Sequence, residues 1–185
     1  MRLRDRCFLI ILLVVIFLYI VPSFFIPFIY KIKEPYFAIP IECDRGLKAS
    51  EILPIRHDAY GDGEFGAKRN NGRLHKGLDL TAKLKSPVCA AKSGRARKRF
   101  IPGGYGNLVT ITHPGGWQTR YGHLHESSIK NSQWVKRGEI IGSVGKSGNA
   151  NVNGMLTHLH FEIREKDIPL DPAIFLRETK KNNGD

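Results

Sequence analysis

The stretch THLHFEIR, residues 157–164, alternates polar and apolar side chains from His158 onward. Successive side chains of a β-strand point to opposite faces. The alternation therefore predicts a strand with Leu159, Phe161 and Ile163 turned to a core and His158, His160, Glu162 and Arg164 on the other face. Two imidazoles on one face stand about 6.6 Å apart along the strand, close enough for one to ligate a metal ion while the other reaches water beside it. Residues 120–125, RYGHLH, repeat the pattern and predict Tyr121, His123 and His125 on one face. Two such strands side by side would form a histidine-lined floor.

A third group lies upstream, where His75 and Asp79 are four residues apart. Four residues of extended strand cover about 13 Å, too far for both side chains to reach one ion at about 2 Å. The chain must bend between them, and Gly77 offers the bend through a bulge or turn that glycine adopts at little cost. Two histidines and one carboxylate, with a fourth position left for water, form the donor set of a catalytic zinc site and not of a closed structural one. His57 and His113, which stand alone, read as satisfied polar residues.

Around these groups, short β-type runs alternate with glycine-rich turns: SPVCAA, GNLVTIT, WQTRYGHL and EIIGSVG join THLHFEIR. No long helical period interrupts them. The region is expected to be mainly β, built of hairpins in two packed sheets or a flattened barrel. The basic run KSGRARKR, residues 92–99, reads as a solvated strand face, because no aromatic residues interleave with its charges as a nucleic-acid surface would require.

The chain has 185 residues, 42% hydrophobic and 25% charged, which excludes collagen-like, low-complexity and wholly disordered proteins. Residues 7–30 contain no charge, a run long enough to span about 30 Å of hydrocarbon as a helix. It exceeds the usual apolar stretch of a cleaved signal peptide and lacks an A-x-A-like site. The expectation is an uncleaved single-pass membrane anchor with the domain exported; the alternative is a cleaved leader and a secreted protein. Pro22 and Pro27 count against a straight helix. Residues 1–34 hold five of the 29 basic and two of the 17 acidic residues, so the remainder carries +9 and favours polyanionic partners. Residues 31–50 read as a linker, 51–176 as the domain and 177–185 as a solvated tail. Cys43 and Cys89 are left as one candidate pair; a bridge enclosing 45 residues would stabilise by about 4 kcal/mol in the chain-entropy picture.

In order along residues 61–171, GDGEFGAKRNNGRLHKGLDL, SPVCAAKSG, GGYGNLVTITH, RYGHL, VKRGEIIGSVGKSGNA and THLHFEIR resemble the successive motifs of the LytM/lysostaphin-type zinc metallopeptidases, peptidase family M23. The resemblance implies antiparallel β-sheets with a substrate groove, one Zn2+ per chain, and hydrolysis of peptide crosslinks in peptidoglycan, whose peptide stems would be the partner. The resemblance also implies a bacterial inner membrane for the anchor and the periplasm for the domain, and no nucleic-acid partner. Matched by motif, His75, Asp79 and His160 would hold the metal. His123 and His158 would be the catalytic pair, one steadying or exchanging protons with the tetrahedral species and the other helping to deprotonate water. His125 stands where serine is frequent, and is expected to face solvent. Residues 149–156, NANVNGML, lengthen the loop beside the groove. The alternative function is a catalytically inactive relative that activates a cell-wall amidase through a protein partner; the presence of all five residues argues against it.

Overall fold

The computed structural model describes residues 3–41, 53–69 and 72–181, and divides into a unit ending at Pro35 and a second unit from Tyr36 onward. The first unit is helical: α1 (Leu3–Val15), a π-helical segment (Ile16–Ile20) and α2 (Val21–Lys33) follow one another directly. This differs from the single membrane-spanning helix expected over residues 7–30, since no helix among the described residues is long and apolar enough to cross a membrane. The division has a backbone cause. Pro22 has no N–H to donate to the carbonyl four residues before it, and just ahead of it the Val21 N–H reaches back five residues to the Ile16 carbonyl.

The second unit contains the strands β1 (His57–Asp58), β2 (Gly61–Asp62), β3 (Leu78–Thr81), β4 (Pro87–Cys89), β5 (Gly94–Ile101) and β6 (Gly106–Thr112). They are followed by β7 (Trp117–Leu124), β8 (Glu126–Ser127), β9 (Gln133–Val135), β10 (Ile140–Ser143), β11 (His158–Glu165), β12 (Ile168–Leu170) and the helix α3 (Pro172–Lys181). All pairings are antiparallel. The main sheet runs β12-β11-β7-β6-β5-β9, and β3 joins β11 as a seventh strand; β4-β10-β8 form a second sheet and β1-β2 a small ribbon. The expected mainly β architecture is thus observed, and each of the five runs named above contains a strand.

β11 organises the unit. One edge of it pairs with β7, while β3 meets its first half and β12 its second. Leu159, Phe161 and Ile163 are fully buried with Val109, Ile111 and Tyr121 of the same sheet and Val88 and Ile141 of the smaller one. Burying each such side chain stabilises the fold by roughly 1.5–3 kcal/mol. Phe37 and Ile39 also belong to this core, and Lys31 and Lys33 lie in α2. The basic run forms β5, with Arg95, Arg97, Lys98 and Arg99 exposed. Cys89 is buried and disulfide-bonded; Cys43, the partner expected for it, lies outside the described residues.

Candidate metal centre

Asp79 of β3 lies directly opposite His160 of β11, so register alone brings the two side chains to one face of the sheet. Asp79 Oδ1 is 2.8 Å from His160 Nδ1 and 3.0 Å from His75 Nε2, and the two ring nitrogens are 3.0 Å apart. These three donor atoms lie within 4.8 Å of one another and could hold one metal ion. His75 reaches them because the chain bends at Gly77. The bend falls at Gly77 as expected, but it does not draw on glycine's backbone freedom, for Gly77 has no positive φ. Glycine is needed for space, since a Cβ there would run into the carbonyl oxygen of Phe161.

Four rings are fixed by acceptors that cannot donate. His75 Nδ1 is 2.8 Å from the Glu64 carbonyl, His123 Nδ1 3.0 Å from that of Ser147, and His158 Nδ1 2.7 Å from that of Leu156. Each Nδ1 therefore carries a proton, and each Nε2 is the nitrogen left to meet a metal. His160 is turned the other way: its Nε2–H donates to Glu162 Oε1 at 3.2 Å, which frees Nδ1 toward Asp79. Glu162, fully buried, also accepts from the Tyr105 hydroxyl at 2.5 Å and from Arg164 Nη1 at 2.7 Å. Carboxylate and carbonyl partners of this kind orient histidines for metal binding. The nitrogen and oxygen donors, their spacing and their oriented rings fit a zinc ion.

His123 reaches this face by an unexpected route. Tyr121, predicted to share its face, instead sits fully buried against Phe161 in the core, its hydroxyl accepting from the Ala91 N–H at 2.8 Å. Simple alternation would send His123 to the core as well. Its φ of 60° reverses the side chain, and its ring lies 5.1 Å from that of His158 and 5.7 Å from that of His160. Left-handed backbone in a residue with a Cβ costs roughly 1–2 kcal/mol, and such strain collects at functional sites. Neighbouring Gly122 leaves room for Tyr105, which a Cβ there would crowd at 3.1 Å. His125 is exposed, as expected, and His113 is held in the core by the Ser93 carbonyl and Thr119 Oγ1, each at 2.9 Å.

Charge divides the rings into two kinds. Burial pushes His123 down to about 3, helped by the charges of His160 and His158, and burial lowers His158 too. Burial also opposes the charged form of His160, but hydrogen bonds to Asp79 and Glu162 push it up to about 9. Burial would raise both carboxylates; the bonds from His160 and His75 hold Asp79 well below its usual value, and that from His160, with Tyr105 and Arg164, holds Glu162 near 2. The site opens into a cleft of about 400 Å³ lined by Tyr60, Leu74, Tyr105, Met155 and the basic Arg73 and Lys76. Reasoning from sequence alone misses Arg56 and Arg69, which grip Asp79 Oδ2 at 3.0 Å each, and Tyr105; nothing local marks them.

Residues 73–172, which contain all five of the histidine and aspartate residues assigned above, match Peptidase family M23, and the chain belongs to that family. Among its relatives are the cell division protein DipM of Caulobacter vibrioides, 36% identical over 70% of this chain and 21% of that protein, and the DD-carboxypeptidase/endopeptidase Mpg of Neisseria meningitidis, 39% identical over 55% and 22%. Among solved structures it resembles a zinc-containing peptidase from Vibrio cholerae, with a TM-score of 0.56 at 30% identity over 74% of this chain and 39% of that one. It also resembles the catalytic domain of lysostaphin from Staphylococcus simulans, with a TM-score of 0.53 at 30% identity over 64% and 90%. The chain spans about a fifth of the length of DipM and Mpg.

Proposed function

We propose that the protein is a zinc-dependent endopeptidase that hydrolyses peptide crosslinks of bacterial peptidoglycan. The observation that carries the reading is the set of four oriented imidazoles, each tied through one nitrogen to an acceptor: the other nitrogens of His75, His158 and His160 lie within 4 Å of Asp79 Oδ1, and the His123 ring packs beside those of His158 and His160. An Mpg relative that bears the endopeptidase name and a zinc-containing structural neighbour support it. An inactive regulator would have no use for a complete set.

In this reading His75 Nε2, Asp79 Oδ1 and His160 Nδ1 hold the zinc. The ion supplies Lewis-acid polarisation of the scissile carbonyl and lowers the pKa of water. His158, neutral with its Nε2 lone pair 3.9 Å from Asp79 Oδ1, takes the proton from the attacking water. His123, buried and neutral, faces the same space and passes a proton to or steadies the tetrahedral species and the departing amine. Leu74, Met155 and Tyr60 give the cleft an apolar wall, and Arg73 and Lys76 face the carboxylates of the peptide stems.

The uncharged residues 7–30 serve as an envelope anchor that keeps residues 51–176 beside the wall, the +9 charge of the region after residue 34 adding attraction to the acidic polymer. The exposed Phe8, Ile10, Ile11, Phe17 and Phe28 of the helical unit support a lipid environment. Incubating the zinc-loaded chain with purified peptidoglycan tests the function: mass spectrometry is expected to show crosslinked dimers giving way to monomers. Persistent dimers, with stimulation of a purified amidase instead, would establish the regulatory role.

A further inference from the structure

Asp79 uses its two oxygens differently. Oδ1 faces His75 and His160. Oδ2 faces away and accepts from Arg56 Nη2 and Arg69 Nη2, each at 3.0 Å. Arg69 is 23% exposed, but Arg56 is only 3% exposed, a costly place for a guanidinium. Its burial is not needed to fix the local chain. The Arg56 N–H already donates to the Asp79 carbonyl at 2.8 Å, its own carbonyl accepts from Gly63, and Ile55 bridges to Leu80. Nor is the side chain fully satisfied, since its Nε is buried without a partner.

The other end of Arg56 explains what it connects. Its Nη1 is paired with Asp58 Oδ1, and Asp58 Oδ2 accepts the backbone N–H of Leu156 at 3.0 Å. Tyr60, two residues on, donates its hydroxyl to the Asn153 carbonyl at 2.6 Å. An unbroken run of charge-assisted hydrogen bonds thus leads from Asp79 through Arg56 and Asp58 to the loop of residues 151–156. That loop lies beside the cleft and ends two residues before His158, whose Nδ1–H donates to the Leu156 carbonyl.

We propose that Arg56 is a positioning residue that keeps Asp79 a one-oxygen ligand and ties that grip, through Asp58, to the loop beside the cleft. Two guanidinium groups on Oδ2 lower its availability to a metal and fix the plane of the carboxylate, which leaves Oδ1 as the donor. The inference rests on the zinc reading of the site.

The test uses the full chain, stripped of metal, with zinc affinity measured by competition against a chromophoric chelator and coordination read from the visible spectrum of the Co2+ form. Arg56→Gln is expected to weaken zinc binding about 10- to 100-fold. It should also weaken the Co2+ bands, as Asp79 swings to two-oxygen binding and coordination number rises. Asp58→Asn, which touches neither Asp79 nor a histidine, is expected to weaken zinc about threefold or more. Arg56→Lys, retaining a charge and a donor, should fall between wild type and Arg56→Gln, and it decides the matter if Arg56→Gln does not fold. Wild-type zinc affinity and an unchanged Co2+ spectrum in a folded Arg56 variant would overturn the proposal, and wild-type affinity in Asp58→Asn would overturn the link to the loop. Failure of the wild-type chain to bind zinc would instead refute the underlying reading of the site.

Discussion

The rings of His123 and His158 stand 5.1 Å apart and nearly perpendicular, at 74°, each with its Nδ1 tied to a backbone carbonyl. Neither is among the three residues whose atoms converge for a metal. His123→Ala should therefore retain zinc while turnover falls about 10²- to 10⁴-fold, the usual contribution of a positioned acid or base. Loss of zinc, read by metal analysis, would make His123 a ligand.

The backbone of His123 adds a stability prediction. At φ 60°, glycine has no Cβ penalty. His123→Gly should be as inactive as His123→Ala yet more stable by about 1 kcal/mol, measured by denaturant unfolding. Equal stabilities would show that the left-handed backbone carries no strain.

The metal-free chain should be most stable near pH 6.5. His160, raised to about 9 from an ordinary 6.5, contributes stability that is complete below 6.5 and is lost as pH rises through 9. His123, lowered to about 3, takes up a proton more readily when unfolded, so stability also falls as pH drops from 6.5 toward 3. Glu162, held near 2, contributes above 4.5 and loses its contribution as pH falls through 2. Zinc displaces the His160 proton and should abolish the alkaline loss; thermal midpoints with and without zinc across pH 5–9 check this.

Gly77→Ala should destabilise the fold by about 1–3 kcal/mol or more, because the added methyl meets the Phe161 carbonyl, a backbone atom that cannot turn aside. Since β3 would be pushed from β11, zinc affinity should fall with it. A stable variant with unchanged zinc binding would mean that the two strands can part without disturbing the site.

Glu162→Gln removes the carboxylate that holds His160 Nε2–H and leaves Arg164 without its buried partner. Zinc affinity should drop about 10- to 100-fold, with a loss of thermal stability.

Period-two alternation made the His158, His160, Glu162 and Arg164 face legible, because β11 is regular along its whole length and buried on its other side. The same reasoning failed at His123, where one reversed φ breaks the period and no residue type announces it. Gly77 was legible as a bend but not as a close contact, which depends on a strand more than 80 residues away. Arg56 was invisible for the same reason: Asp58 is near it in the chain, but Asp79, whose Oδ2 it shares with Arg69, comes to it only through the pairing of distant segments. In the helical unit, hydropathy marked the apolar run, but a π segment ahead of Pro22 divides what composition alone presents as one helix.

The most direct test of the account is crosslink cleavage in purified peptidoglycan by the full chain, measured as zinc is returned to the metal-free protein. Cleavage should rise until one zinc is bound per chain and then level off, and His160→Ala should show none at any zinc concentration. Cleavage that persists without zinc, or that survives in His160→Ala, would contradict it.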